Sequence, residues 1–267
     1  MKLIVIATDE VLRLFSTRRG FLSITGFCLI WLAVLHYGVM PAARLFSGAA
    51  ESGLADMILP EIGLSGVRLW PSPELSVFWV VSLYLLPFLA IMTAADQTAS
   101  DRARGTLRYL VLRCSRLEIF FGRYIGQLFI LLLVVLVTLI SVLAVVAINS
   151  SDRLAAAVAT GPVIVVNLML VLAPYVALMA LVSVLASTAR QATIYAVVIW
   201  IAVSLLVSIL RSKMPDANWL DWALPGSQID TLIGLTGWQT LSVAAIPIVH
   251  TFVLLLVGVL IMRRRDL

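Results

Sequence analysis

The chain has 267 residues, of which 62% are hydrophobic and only 12% are charged. This balance excludes a soluble domain, whose interior could not bury so much apolar surface, and predicts a polytopic membrane protein. The net charge of +5 does not indicate a nucleic-acid partner, because the arginines lie at the ends of long apolar runs, where membrane topology explains them. Cys28 and Cys114 fall at different depths, so no disulfide is expected between them.

The first segment, residues 1–20, has the pattern of an amphipathic helix. Polar side chains such as Lys2 and Arg13 fall on one helical face, and apolar side chains such as Leu3 and Val11 fall on the other. This pattern predicts a helix that lies in the membrane interface. A cleavable signal peptide is the alternative, but the charged region is too long and the apolar run that follows is long enough to span a membrane.

Six uncharged runs predict an all-α fold with six transmembrane helices, at residues 21–40, 75–95, 124–148, 162–185, 192–210 and 243–262. Two of the uncharged stretches, 154–189 and 231–262, are too long for one straight span. We therefore expect an interfacial approach before the fourth span and a short or re-entrant helix before the sixth.

The distribution of Lys and Arg predicts the orientation of these helices. Most of the 19 basic residues lie in the N-terminal segment, in the loop 96–123, in the turn around Arg190 and in the C-terminal tail. By the positive-inside rule these parts face the cytoplasm. Both termini are therefore expected inside, and segments 41–74 and 211–242 outside, in a multi-pass protein of the cytoplasmic (inner) membrane. No charged side chain falls within the six spans, which disfavours an ion-coupled carrier.

The loop 96–123 is the longest charged segment of the chain. Thr106 can cap one short helix, and Ser115 with Glu118 forms a capping box that opens an apolar run, so two short helices joined near Cys114 are expected. Apolar side chains in the loop are costly to leave in water; they are Leu107, Leu110, Val111 and Phe120. The loop is either a solvated segment that only fixes topology or a docking surface for a cytoplasmic partner.

A few polar residues and glycines within or near the spans predict contacts between helices. Gly122 and Gly126 form a G-x-x-x-G pair that permits close helix approach. Asn167, Gln127 and the two isolated histidines, His36 and His250, are expected to hydrogen-bond neighbouring helices, which is more common for a lone membrane histidine than binding a metal or haem. The chain has no G-x-x-x-x-G-K-[ST] motif, so we expect no ATP bound by this chain itself.

The loop contains an ordered set of acidic, glycine, hydroxyl and basic residues: Asp96, Asp101, Arg104, Gly105, Thr106, Leu107, Leu110, Ser115, Arg116, Gly122, Arg123 and Gly126. This set resembles the signature of ABC-2 type transporter permeases, in which an acidic residue precedes a Gly-Thr pair, a short helix, a Ser-Arg pair and a Gly-Lys/Arg pair. The ending, residues 264–267 (R-R-D-L), is similar to the close of these subunits. The chain departs from the family where Asp101 replaces a common Glu and Cys114-Ser115 stands where a Pro is frequent.

This resemblance implies the permease subunit of an ATP-driven exporter. Two permease subunits, as a homodimer or heterodimer, surround the pathway, and two copies of a separate ATP-binding subunit carry the ATP and Mg²⁺. The implied coupling element, at which the ATP-binding subunit docks, comprises Gly105, Thr106, Leu107, Arg108, Leu110, Val111, Ser115, Arg116, Glu118 and Phe120. Leu110 and Phe120 are the expected anchors of that contact. Gly105 is expected to be required, because the turn between Arg104 and Thr106 needs the φ freedom of glycine.

The second external segment carries the remaining candidate site. We expect an external gate, a short helical cap over the exit, built from Trp219, Trp222, Pro225 and Gly226. An interfacial anchor with no part in transport is the alternative reading of these residues. For the whole chain, a non-transporting scaffold or sensor and, less favoured, a secondary carrier are the alternatives to the exporter.

Overall fold

The structure, a computed structural model, describes residues 2–51, 70–95, 97–103, 105–214 and 218–264, and every regular element in those ranges is a helix. By length and composition, six helices can cross a membrane: Gly20–Ser47, Pro73–Ala94, Arg116–Asn149, Ser151–Leu185, Ala189–Lys213 and Ala245–Arg264. The prediction of an all-α polytopic membrane protein with six candidate spans is confirmed.

The first span follows a separate N-terminal helix. The elements are α1 (Lys2–Ser16), α2 (Arg18–Ala33), a π-helical turn (Val34–Val39) and α3 (Met40–Glu51). Thr17 separates α1 from α2, because its hydroxyl accepts a hydrogen bond from the backbone N–H of Gly20 at 3.1 Å and so caps α2. The predicted N-terminal helix is thus present, and its location in the membrane interface stays a prediction.

The helix of the first predicted span, 21–40, continues beyond residue 40 through Pro41 to Glu51, and the bounds of the span itself stay a prediction. In the π-helical turn the N–H of Met40 binds the carbonyl of Leu35, five residues earlier. That wider turn accommodates the proline ring, which in a regular α-helix clashes with the carbonyl four residues before it. Of the predicted external segment 41–74, residues 52–69 lie outside the described part of the chain.

The next three spans are α4 (Pro73–Ala94), α7 (Arg116–Asn149) and α8 (Leu154–Leu185), and two short helices, α5 (Ala99–Ala103) and α6 (Leu107–Arg113), connect α4 to α7. Ser72 caps α4 and Pro73 occupies its first position, a favoured arrangement because proline has no N–H to leave unpaired. Phe78 and Trp79 of α4 are fully buried in the core, which centres on α8, the most buried span.

The helix of the fourth span is continuous from Leu154 to Leu185, so the expected interfacial approach would be part of the same helix, and the span bounds 162–185 stay a prediction. A 3-10 turn (Ser151–Arg153) leads directly into α8, and both Pro162 and Pro174 lie inside that helix. Membrane helices tolerate internal prolines where neighbouring helices satisfy the freed backbone groups, and α8 is covered by α4, α7 and the last span.

The last part of the chain contains α9 (Ala189–Lys213), a 3-10 helix (Asn218–Ala223), α10 (Ile229–Ile233), a second 3-10 helix (Gly237–Val243) and α11 (Ala245–Arg264). The short helix α10 packs into the bundle, where the indole N–H of Trp79 donates to the carbonyl of Leu232 at 3.3 Å. A short helix before the sixth span was predicted, and α11 begins at Ala245, close to the predicted residue 243.

Candidate functional site

The predicted capping box at the start of α7 is confirmed. The Ser115 hydroxyl accepts from the N–H of Glu118 at 3.2 Å, and the Glu118 carboxylate accepts from the N–H of Ser115 at 2.7 Å. The box does not open a second short helix, however, because α7 is helical from Arg116 into the span without a break. The apolar run that begins at Ile119 therefore belongs to the membrane helix.

The turn between α5 and α6 depends on Gly105 and Thr106. Gly105 has a φ of +71°, which glycine adopts without cost, and an added Cβ would meet nothing within 4 Å. The expected need for glycine is thus one of backbone conformation. Thr106 occupies the cap position of α6, but its hydroxyl makes no cap bond there and donates instead to the Asp101 carboxylate at 3.1 Å. The predicted cap by Thr106 is wrong because its backbone is helical (φ −70°, ψ −23°), whereas an N-cap residue typically has extended angles.

A buried ion triad joins this turn to the N-terminal helix. The guanidinium of Arg123 in α7 pairs with the carboxylates of Asp101 in α5 and Glu10 in α1. Buried charges are tolerated when they are paired, and here one guanidinium serves two carboxylates. Because Thr106 binds Asp101, the triad connects α1, the start of α6 and the first turns of α7. The sequence analysis quoted Asp101 and Arg123 as motif residues and missed Glu10 as their partner.

The G-x-x-x-G pair allows α1 to lie directly on α7, so the predicted close helix approach is confirmed. A Cβ added at Gly122 would lie 2.8 Å from the Cβ of Ile6, and one added at Gly126 would lie 2.9 Å from the Cβ of Glu10. Real side chains do not tolerate such distances, so both glycines are required by the contact. The same contact places Glu10 beside Arg123.

Several basic side chains near the loop cap the C-terminal ends of helices. Lys2 donates to the carbonyl of Arg113 at the end of α6 at 2.9 Å. Arg102 donates to the carbonyls of Val184 and Ala186 at the end of α8, at 2.7 and 3.1 Å. Cations are favourable at helix C-termini, where carbonyls lack helical partners.

Arg116 makes the same kind of contact with the last span. It donates to the carbonyls of Met262 and Arg263 near the end of α11, at 3.4 and 3.5 Å. Arg116, Lys2 and Arg102 thus all donate hydrogen bonds to backbone carbonyls of the same chain. Part of the basic character of the loop is therefore structural.

The exposed face of α6 differs from the one predicted. Leu110 and Val111 are half-buried, whereas Tyr109 and Leu112 are 74% and 83% exposed. Phe120 is 1% exposed and packs in the core, where its ring would be 2.6 Å from a Cβ added at Gly258 of α11. Phe120 is therefore not available to a partner. Sequence reasoning missed Tyr109 and Leu112, although their spacing of three residues already placed them on one helical face.

The backbone of Leu107 and Arg108 opens α6, and their side chains lie outside the described part of the structure. Ser115 is exposed, and Arg116 and Glu118 are half-buried at the junction of α6 and α7. The structure therefore brings the predicted coupling residues, except Phe120, to one end of the bundle around α6. Their role in coupling stays a prediction.

The predicted external gate contacts two spans. The carbonyl of Pro225 accepts from the Tyr175 hydroxyl of α8 at 3.1 Å, and the carbonyl of Trp222 lies 2.6 Å from Nε2 of His250 in α11. Gly226 has a φ of +96°, and a Cβ there would lie 2.2 Å from the Tyr175 hydroxyl oxygen. These contacts fix the segment on the bundle, and the gating role stays a prediction.

Two further polar contacts agree with the sequence analysis. Asn167 donates to the Thr240 hydroxyl at 2.7 Å, and Gln127 donates to the Thr93 hydroxyl at 2.9 Å, each between two elements of the bundle. The backbone of Trp219 lies in the 3-10 helix Asn218–Ala223, and its side chain is outside the described residues.

Six apolar helices, with polar contacts concentrated where they end, define a multi-pass membrane protein. The particular family follows from the sequence: a family model described as ABC-2 family transporter protein matches residues 42–267, and the chain belongs to this family. It is thus a permease of an ABC transporter. Permeases of this family pair with ATP-binding subunits, and membership of the family indicates a membrane component for transport, not catalysis. No curated protein shows significant similarity to the chain.

Proposed function

We propose that the chain is the permease subunit of an ATP-driven exporter. Two permease subunits, identical or different, form the pathway, and two copies of a separate ATP-binding subunit dock on the cytoplasmic side and bind ATP with Mg²⁺. The basic residues of the N-terminus, the loop and the tail support cytoplasmic termini and a location in the inner membrane.

The observation that carries this proposal is the exposed apolar pair Tyr109 and Leu112 on α6. Large apolar side chains that protrude from an otherwise polar loop are typical of a docking surface. The helix that presents them is held at both ends, by the bond from Lys2 to the carbonyl of Arg113 and by the contact of Thr106 with the ion triad. A displacement of α6 by an ATP-binding subunit would therefore act on α1 and α7 together.

The test is co-purification of the chain with an ATP-binding subunit from membranes. We expect Leu112→Asp to weaken the complex by about 2 kcal/mol or more, as is usual for an interface anchor. Ser187→Asp is the matched control, because Ser187 is also exposed but lies in the turn between α8 and α9. If both variants retain the subunit and its ATPase activity like the parent, α6 is not the docking element and the proposal fails.

A further inference from the structure

A polar cavity of about 390 Å³ lies at the opposite end of the bundle from the loop, among α3, the start of α4 and the turn after α7. Small-ligand sites commonly have volumes of about 300–1,000 Å³. The charged side chains that line the cavity are Arg44, Glu74, Asp152 and Arg153. Two carboxylates and two guanidiniums favour a ligand that carries both signs of charge over a simple anion or cation.

Glu74 makes this cavity a formed site and not a surface depression. Its side chain is only 5% exposed, and one carboxylate oxygen accepts a 3.4 Å hydrogen bond from the amide of Asn149. The other oxygen, Oε2, is buried and has no hydrogen-bond partner in the described structure. A carboxylate removed from water with one oxygen unpaired is unfavourable, so Oε2 is suited to a cationic group that donates N–H bonds.

The two arginines supply the complementary contact. Arg44 is exposed on α3, and the Arg153 side chain is 53% exposed and pairs at 3.9 Å with the more exposed Asp152. Because the Asp152 side chain is 79% exposed, this long pair contributes little energy, and the guanidinium of Arg153 remains available to an anion. Guanidinium groups bind phosphate oxygens in a bidentate manner. A ligand with an ammonium group close to a phosphate therefore complements both the carboxylates and the guanidiniums that line the cavity.

The position of the cavity indicates where such a ligand comes from. Glu74 is at the first turn of one candidate span and Asn149 is the last residue of another, so both lie where a candidate span ends. Lipid headgroups border the hydrocarbon core at the ends of spans. Leu45, next to Arg44, is 73% exposed, and Ile148, next to Asn149, is 84% exposed, so apolar side chains flank the polar site. We infer that the cavity binds the headgroup of an aminophospholipid, with its ammonium on Glu74 and its phosphate on the arginines. This inference is independent of the proposed export function.

The experiment compares lipid binding by the full-length chain in detergent, measured by native mass spectrometry. Phosphatidylethanolamine and phosphatidylcholine share a phosphate, but only the former has N–H donors. We expect about a tenfold preference for phosphatidylethanolamine, equivalent to ~1.4 kcal/mol. Glu74→Gln, which keeps the shape of the side chain, should abolish that preference. Asp230→Asn is the matched control, because Asp230 contacts Tyr84 away from the cavity, and it should keep the preference.

Equal binding of the two lipids by the parent chain overturns the inference, and this comparison does not depend on the folding of any variant. A folded Glu74→Gln protein that keeps the full preference overturns it as well. Soluble phosphoethanolamine distinguishes the two sources of the same chemistry. If phosphoethanolamine displaces the lipid only weakly, the ligand is a membrane lipid, as inferred. If phosphoethanolamine binds as tightly as the lipid, the site binds a soluble aminophosphate, which contradicts the inference of a lipid ligand.

Discussion

At the scale of single residues, Arg123 is the side chain that holds the cytoplasmic loop and the N-terminal helix together. It is 6% exposed and pairs with Asp101 and Glu10. Arg123→Gln removes the charged partner that the Asp101 and Glu10 carboxylates share, and we expect a loss of ~3–5 kcal/mol in the free energy of unfolding, measured in mixed micelles. Arg13→Gln is the control: Arg13 pairs with Glu10 at 3.9 Å on a more exposed surface, and its loss should cost less than about 1 kcal/mol. Equal losses in the two variants would contradict the role of the triad.

The residues that were predictable are those whose partners are local in sequence. The bond between Ser115 and Glu118 and the φ of Gly105 depend on neighbours within a few positions, and both follow from sequence alone. The pairing of Glu10 with Arg123 depends on how α1 packs on α7, which no local pattern reveals. Phe120 was misassigned for the same reason, because its burial depends on Gly258 in the last span.

At the scale of elements, the contact of α1 with α7 requires glycines on α7. A methyl group added by Gly126→Ala would lie 2.9 Å from the Cβ of Glu10 and 3.1 Å from the carbonyl oxygen of Ala7. We expect this variant to lose ~1–3 kcal/mol in the free energy of unfolding, as overpacked contacts do. Gly26→Ala is the matched control, since Gly26 is also helical but has nothing within 4 Å, and alanine there should stabilise by up to about 1 kcal/mol. Two variants of equal stability would show that α1 is not held on α7.

The existence of the long helices was predictable from their uncharged length, whereas their ends were not. The first apolar run ended at Met40, but the π-helical turn before Pro41 lets the helix continue to Glu51. The length of the stretch from residue 154 indicated an approach segment before the fourth span, but α8 is continuous through Pro162. The ends of these helices depend on backbone geometry and packing, which the length of an apolar run does not reveal.

At the scale of the whole molecule, polar contacts join the helices at both ends of the bundle. Arg116 contacts the end of α11, and the Thr98 hydroxyl lies 2.9 Å from that of Ser183 near the end of α8. At the other end, Asn149 contacts Glu74. The connections between spans therefore alternate between the two ends, as an even number of spans with both termini on one side requires.

Cysteine labelling in intact cells tests which end faces the cytoplasm. Asp152 is in the turn after α7, where its side chain is 79% exposed, and Ser187 is exposed in the turn before α9. The basic loop and tail lie at the same end as Ser187, so the positive-inside rule assigns that end to the cytoplasm. In a background with Cys28 and Cys114 replaced by serine, we expect an impermeant maleimide to label Asp152→Cys in intact cells and Ser187→Cys only after permeabilisation. The opposite pattern would reverse the orientation and would place α6 on the side of the membrane that has no ATP-binding subunits.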